Sequence, residues 1–228
     1  MFSRSKGGPK HVRSADAPRS AALAQSMSAD AQAEAPEHGP WDAAYAPEGV
    51  QRLDLGSLQI PAVDGVEVRV QANPDGGIEQ VVLVVGESAL QLGVFAAPRT
   101  EGIWDEVRAE IAEAMSADGV NPQEVDGPYG TELLARVETP QGPAEVRFVG
   151  VDGPRWMVRG LYQGPVATDR SLEGALGQCL EGLVVVRDQE ARPVREALPL
   201  RLPQEMAEHA QQHLADGEDP AAPDPALH

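Results

Sequence analysis

Four Gly-Pro pairs, Gly127-Pro128, Gly142-Pro143, Gly153-Pro154 and Gly164-Pro165, cut the middle of this chain into short runs and constrain its fold more than any other feature. Glycine reaches dihedrals closed to other residues and proline lacks a backbone donor, so each pair marks a turn. The runs between them, 132–139, 144–151 and 155–162, are rich in branched and aromatic residues and read as strands. Connections this short join antiparallel neighbours, because parallel ones need a crossover of about a dozen residues or more. The same rhythm precedes them at 66–71, 78–85 and 89–95, broken by the turn sequences ANPDGG and GES.

Each trio of strands is followed by a helical pattern. In TEGIWDEVRAEIAEAMSADG, Ile103, Val107, Ile111 and Met115 recur every four residues with Trp104 beside them, which makes one apolar face. Thr100 is placed to cap this helix and Gly119 to end it. A second helix is expected over 171–181, with Leu172, Ala175, Leu176, Cys179 and Leu180 inward, and LVVVRD at 183–188 supplies a last strand. The order βββα-βββα-β predicts a single α+β domain: a mostly antiparallel, twisted sheet with covering helices. REALPLRLP, 195–203, is expected to run extended across the domain, and 204–215 to form an amphipathic helix.

Composition sets the boundaries. Residues 1–19 carry five basic side chains against one acid, and 20–49 are rich in Ala, Ser, Glu and Pro without an apolar period. These, and an acidic tail beyond Ala215, are expected to be mostly disordered. The core is expected at 50–203, with 204–228 as a C-terminal helix and tail. The formal net charge of −18 argues against nucleic acid or an anionic membrane as a partner of the core, and leaves only the basic N-terminal tail as a possible contact for polyanions. A single cysteine, Cys179, rules out an internal disulfide, and a cytoplasmic location is the default.

All five histidines (His11, His38, His209, His213, His228) fall outside 50–203, and the only lysines are Lys6 and Lys10. The expected core therefore offers no imidazole base, no phosphate-loop lysine and no Schiff-base nucleophile, and no catalytic residue, metal ligand or cofactor is assigned. Glu205, His209 and His213 lie one helical stripe apart, but without a third zinc ligand. Asp118, Glu124 and Asp126 crowd what reads as one loop.

Side chains alternate across a strand. In GPRWMVRGLYQGP this puts Trp156 and Tyr162 on one face and Arg155 and Arg159 on the other. A three-residue connection at 152–154 would set Phe148 opposite Val158, leaving Arg136, Arg147, Arg155 and Arg159 together on a solvated face. The alternative two-residue turn would carry Arg147 to the aromatic side, which register rules disfavour. A four-residue connection at 139–142 sets Arg136 opposite Glu145.

The stretches GPWDAAYAPEGVQRLDLGSLQIP, FAAPRTEGIWDEVR, EVDGPYGTELLARV, VRFVGVDGPRWMVRG and LPLRLP resemble an actinobacterial family of uncharacterised proteins, domain of unknown function 3710. The resemblance spans about residues 38–203 and implies no activity or ligand that transfers residue by residue. The residues themselves point to a cytoplasmic, non-catalytic interaction module that binds a protein partner or a second copy of itself. Its surfaces would be the arginine face (Arg136, Arg147, Arg155, Arg159) and an acidic helix surface (Glu106, Glu110). The alternative is an enzyme or small-molecule or nucleotide binder holding a phosphate or carboxylate with Arg147, Arg155 and Arg159.

Overall fold

The structure is a computed structural model and describes residues 38–72 and 77–202. The expected tails, the helix at 204–215 and the Glu205/His209/His213 stripe lie outside the described residues.

The chain runs β1 (Trp41–Asp42), β2 (Arg52–Asp54), β3 (Leu58–Pro61), β4 (Glu67–Ala72), β5 (Ile78–Val85) and β6 (Ser88–Ala96), then α1 (Trp104–Ala117). It continues through β7 (Gln123–Gly127), β8 (Gly130–Thr139), β9 (Gly142–Gly153) and β10 (Trp156–Gln163) to α2 (Gly174–Gly182) and β11 (Val184–Val185). Seven strands make one antiparallel sheet in the order β4-β5-β6-β10-β9-β8-β7, and β1-β11-β3-β2 make a smaller one, antiparallel except for the β1–β11 pair. The fold is thus α+β, with the expected trios of hairpin-linked strands at its centre. Among the described residues, no helix is long and apolar enough to cross a membrane.

The large sheet separates two apolar layers. Val81, Leu83, Leu90, Leu92, Val94, Trp156, Val158 and Tyr162 point to one side and pack on Leu58 and Ile60 of β3 and Leu176, Cys179 and Leu180 of α2. Each such aliphatic side chain contributes roughly 1.5–3 kcal/mol by leaving water. Trp156 Nε1 donates to Asp42 Oδ2 at 3.1 Å, which ties β1 to this layer from N-terminal of the expected core boundary. On the other side, α1 sets Ile103, Trp104, Val107 and Ile111 against Phe95, Phe148 and Met157.

Several elements depart from the expected pattern. The start of α1 is capped by Asp152 of β9 and not by Thr100: Asp152 Oδ1 accepts from Ile103 N at 2.8 Å and Oδ2 from Trp104 N at 3.1 Å. A carboxylate there satisfies two free amides and complements the helix dipole. Residues 123–127, expected as an acidic loop, form β7. The second helix begins only at Gly174, after a 3-10 turn at Arg170–Leu172, and Leu172 is exposed instead of inward. The last strand is only Val184–Val185. Of the stretch expected to run extended from 195, Arg195 lies in a turn at φ 71°, and residues 197–201 run extended, bridging Phe95 through Ala197, Gly56 through Leu200 and Gly77 through Arg201.

The expectation for the β9–β10 turn is overturned. Trp156 pairs with Gly153 and Tyr162 with Arg147, so the loop is Pro154-Arg155 alone and Leu161, not Val158, faces Phe148. Pro154 fixes φ for the first loop position, and Arg155 takes φ 67°, as the second position of a type II turn requires. Val158 instead pairs with Val151. On the other side of β9, Arg136 pairs with Glu145 as expected. His38 is a further correction: it belongs to the described body, its ring edge-on to Tyr129 at 6.0 Å, so imidazole is not absent from the folded part.

Candidate functional site

The four arginines expected on one face occupy four environments. Arg147 lies on the aromatic side and is 2% exposed. A buried guanidinium is costly unless every donor is met. Here Nε donates to Ala167 O at 2.9 Å, Nη1 to Glu132 Oε2 at 2.5 Å, and Nη2 to Val166 O at 3.1 Å and Glu173 Oε1 at 2.6 Å. Its guanidinium also covers the Tyr162 ring at 4.5 Å. Arg170 completes the network, donating to Glu132 Oε1 at 3.2 Å and Oε2 at 2.8 Å. Two arginines thus neutralise two glutamates, and four of the five Arg147 donors are engaged within the fold.

Arg136 sits on the solvated end of β8, 3.6 Å from Glu145. Arg155 occupies the turn, where its carbonyl accepts from Ala97 N at 3.0 Å and from Arg187 Nε at 3.2 Å. Arg159 faces the α1 side of the sheet. Arg147, Arg155 and Arg159 therefore do not converge on one anion.

The structure does join two surfaces that the sequence kept apart. A groove of about 310 Å³ runs between α1 and the sheet. Its floor is Phe95, Met157, Val107 and Ile111, and Arg159, Glu110 and Arg195 stand around it. Arg195, at φ 71°, holds the helix acids: Nη1 is 2.6 Å from Glu110 Oε1 and Nη2 is 2.6 Å from Glu106 Oε2. Those contacts with Glu110 and Glu106 raise the pKa of the Arg195 guanidinium. Glu106 and Glu110 are thus already engaged.

Arg159 is the exception. It is half-buried, with its guanidinium 5.1 Å from the Phe95 ring centroid, and among the described residues no carboxylate pairs with it. Burial alone lowers its pKa from the usual arginine value. An arginine on an aromatic face, partly stripped of water and unneutralised, is suited to a carboxylate arriving from outside.

The acids expected to cluster before Gly127 are dispersed. Asp118 follows the last turn of α1, Glu124 pairs with Arg108 at 3.0 Å, and Asp126 lies on β7, its carbonyl accepting from Arg170 Nη2 at 2.8 Å. Cys179 is fully buried among apolar side chains, which pushes its thiol pKa up to about 11. Sequence reasoning missed Arg195, Glu173 and Arg170, because each has a partner across a large sequence separation: Glu106 and Glu110 for Arg195, Arg147 for Glu173 and Glu132 for Arg170. The nearest signal was the charged stretch around Arg170 and Glu173, read only as a helix start.

A comparison with curated proteins returned no match. A family model described as "Protein of unknown function (DUF3710)" matches residues 39–209, which takes in both sheets, both helices and the groove, and the chain belongs to that family.

Proposed function

We propose that the protein is a cytoplasmic, non-catalytic interaction module whose recognition surface is the groove between α1 and the sheet. Arg159 takes one carboxylate of a partner polypeptide, while Phe95, Ile111 and Met157 take the apolar side chain next to it. The observation that carries this reading is the unpaired Arg159 guanidinium over Phe95 in a groove whose other charges are already matched. The groove favours a single carboxylate over a phosphate. A dianion needs several convergent donors, whereas Glu110 stands on the same rim and Arg147 is sealed on the opposite side of the sheet.

The test is peptide display against the full chain, followed by affinity measurement on the recovered sequences. The expected consensus is Asp or Glu beside a large apolar residue, with binding weakened at least about tenfold by Arg159→Gln, the loss of one charge-assisted hydrogen bond. Nucleoside monophosphates should not compete. Sequences without an acid, affinity unchanged by Arg159→Gln, or displacement by a nucleotide would each overturn the proposal, the last in favour of a small-molecule site.

A further inference from the structure

A second cavity, on the opposite side of the large sheet from Arg159, holds polar groups that the fold leaves unmatched. It measures about 270 Å³, room for about nine atoms the size of a water at ~30 Å³ each. Tyr129, Tyr162, Glu173, Glu181 and His38 line it, with Leu180 below.

Three observations bear on what it holds. Tyr162 is 1% exposed, and its hydroxyl is buried with no hydrogen-bond partner among the described residues. Such an orphan is rare in a folded interior, because an unmet buried hydroxyl is unfavourable. Its phenol feels both Glu173 and Tyr129, its neighbours around the cavity. The Glu181 carboxylate, at the open end, makes no ion pair or hydrogen bond among the described residues, and acts electrostatically on Tyr129. The charges beneath are balanced, Arg147 and Arg170 against Glu132 and Glu173, so Glu181 leaves the site one negative charge in excess. Finally, Tyr129, set edge-on to the His38 ring, is partly accessible at this wall. A cation gains from an aromatic face as well as from a carboxylate.

We infer that the cavity between Tyr129, Tyr162, Glu173 and Glu181 binds a small organic ammonium ion. Its N–H groups donate to Glu181 and to the free Tyr162 oxygen, and its carbon body lies against Tyr129 and Leu180. The size admits an amine of about nine non-hydrogen atoms or fewer and excludes a folded polypeptide segment. This site is independent of the groove beneath α1, so either can fail without the other.

The experiment is amide-resolved NMR titration of the full chain with ethanolammonium and 2-phenylethylammonium, beside their uncharged counterparts ethylene glycol and 2-phenylethanol. The amines should give saturable shifts at Tyr129, Tyr162, Gly177 and Glu181, and the uncharged compounds none. Tyr162→Phe should weaken the amines about tenfold while leaving thermal stability equal or higher, since it removes a hydroxyl that nothing satisfies. Glu181→Gln, at an exposed position, should weaken them about fivefold or more. Absent shifts, equal response to the uncharged compounds, or unchanged affinity in either variant would overturn the inference. A Tyr162→Phe protein that is less stable in the absence of ligand would do so too, by showing that the hydroxyl already has a partner.

Discussion

Arg147 and Glu132 form a shielded ion pair across β9 and β8, Nη1 to Oε2 at 2.5 Å, with side-chain exposures of 3% and 1%. Leu134 is the residue directly opposite Arg147, so the pair is diagonal, and both members lie on the face that carries Trp156 and Tyr162. Removing one partner strands a charge without water. Arg147→Met or Glu132→Leu alone should cost about 3–5 kcal/mol in urea unfolding. The double variant should cost less than the larger of the two, since no charge of that pair is then left alone. Additive losses would show that the two side chains contribute separately.

Arg155 holds φ 67° at the second loop position, where a side chain is crowded by the following carbonyl. Its side chain makes no hydrogen bond among the described residues; only its carbonyl is used, by Ala97 and Arg187. Arg155→Gly should therefore raise stability by about 0.5–1 kcal/mol, the relief of the left-handed penalty less the entropy of glycine. Urea midpoints of the two proteins decide it. A loss of stability would mean that the side chain contributes a contact outweighing the strain.

Gly150 lies under α1. A Cβ at this position would stand 2.0–2.5 Å from the Trp104 indole, closer than atoms approach without movement. Gly150→Ala should displace Trp104 and cost about 1–3 kcal/mol. It should also break the bond from Trp104 Nε1 to Thr131 O, now 2.8 Å, and shift tryptophan emission to the red. Unchanged emission and stability would place the helix farther from the sheet than 150 and 104 indicate.

Alkali should destabilise the fold. Burial pushes the Cys179 thiol from 9.0 up to about 11. Burial first, then Glu181, Glu173 and Glu132, push the Tyr129 phenol from 10.0 up to about 12. In both cases the folded state holds its proton more tightly than the unfolded chain. The unfolded chain therefore sheds protons first, and stability falls as pH rises. The contribution is fully present below about pH 9 and lost by about pH 12. Urea midpoints should decline from about pH 9 to about pH 12, and Cys179 should react with a thiol reagent only as the protein unfolds. A midpoint that rises over that interval would contradict both shifts.

The hairpins were legible because turn chemistry is local. The Gly-Pro pairs announced β8, β9 and β10, and the Arg136–Glu145 register followed from counting residues through one turn. The β9–β10 register was not legible. The rule that keeps charges off an apolar face compares residues on neighbouring strands, whereas Arg147 is accepted there by Glu173 and by the carbonyls of Val166 and Ala167, some twenty residues on. No periodicity carries that information. β1, β2, β3 and β11, of two to four residues each, are too short to show an alternation and exist through pairing alone. The candidate groove was half visible. Arg159, Glu106 and Glu110 were all singled out, but on separate surfaces, since Arg195 joins the acids to the sheet from a segment that gave no sign of where it crosses.

The strap at 197–201 also sets a timetable. Leu198 N donates to Val94 O at 2.9 Å, Ile78 N to Leu200 O at 3.0 Å and Arg201 N to Leu55 O at 3.0 Å, so the large sheet and the β2–β3 connection both share backbone bonds with it. On a ribosome adding about 5–20 residues per second, β5 and β6 emerge roughly five to twenty seconds before the strap that closes them. During that interval the Ile78 N–H and the Val94 and Leu55 carbonyls lack their partners in the fold. These groups are all paired only once residue 201 has left the exit tunnel, and a chain ending before the strap lacks all three of these bonds.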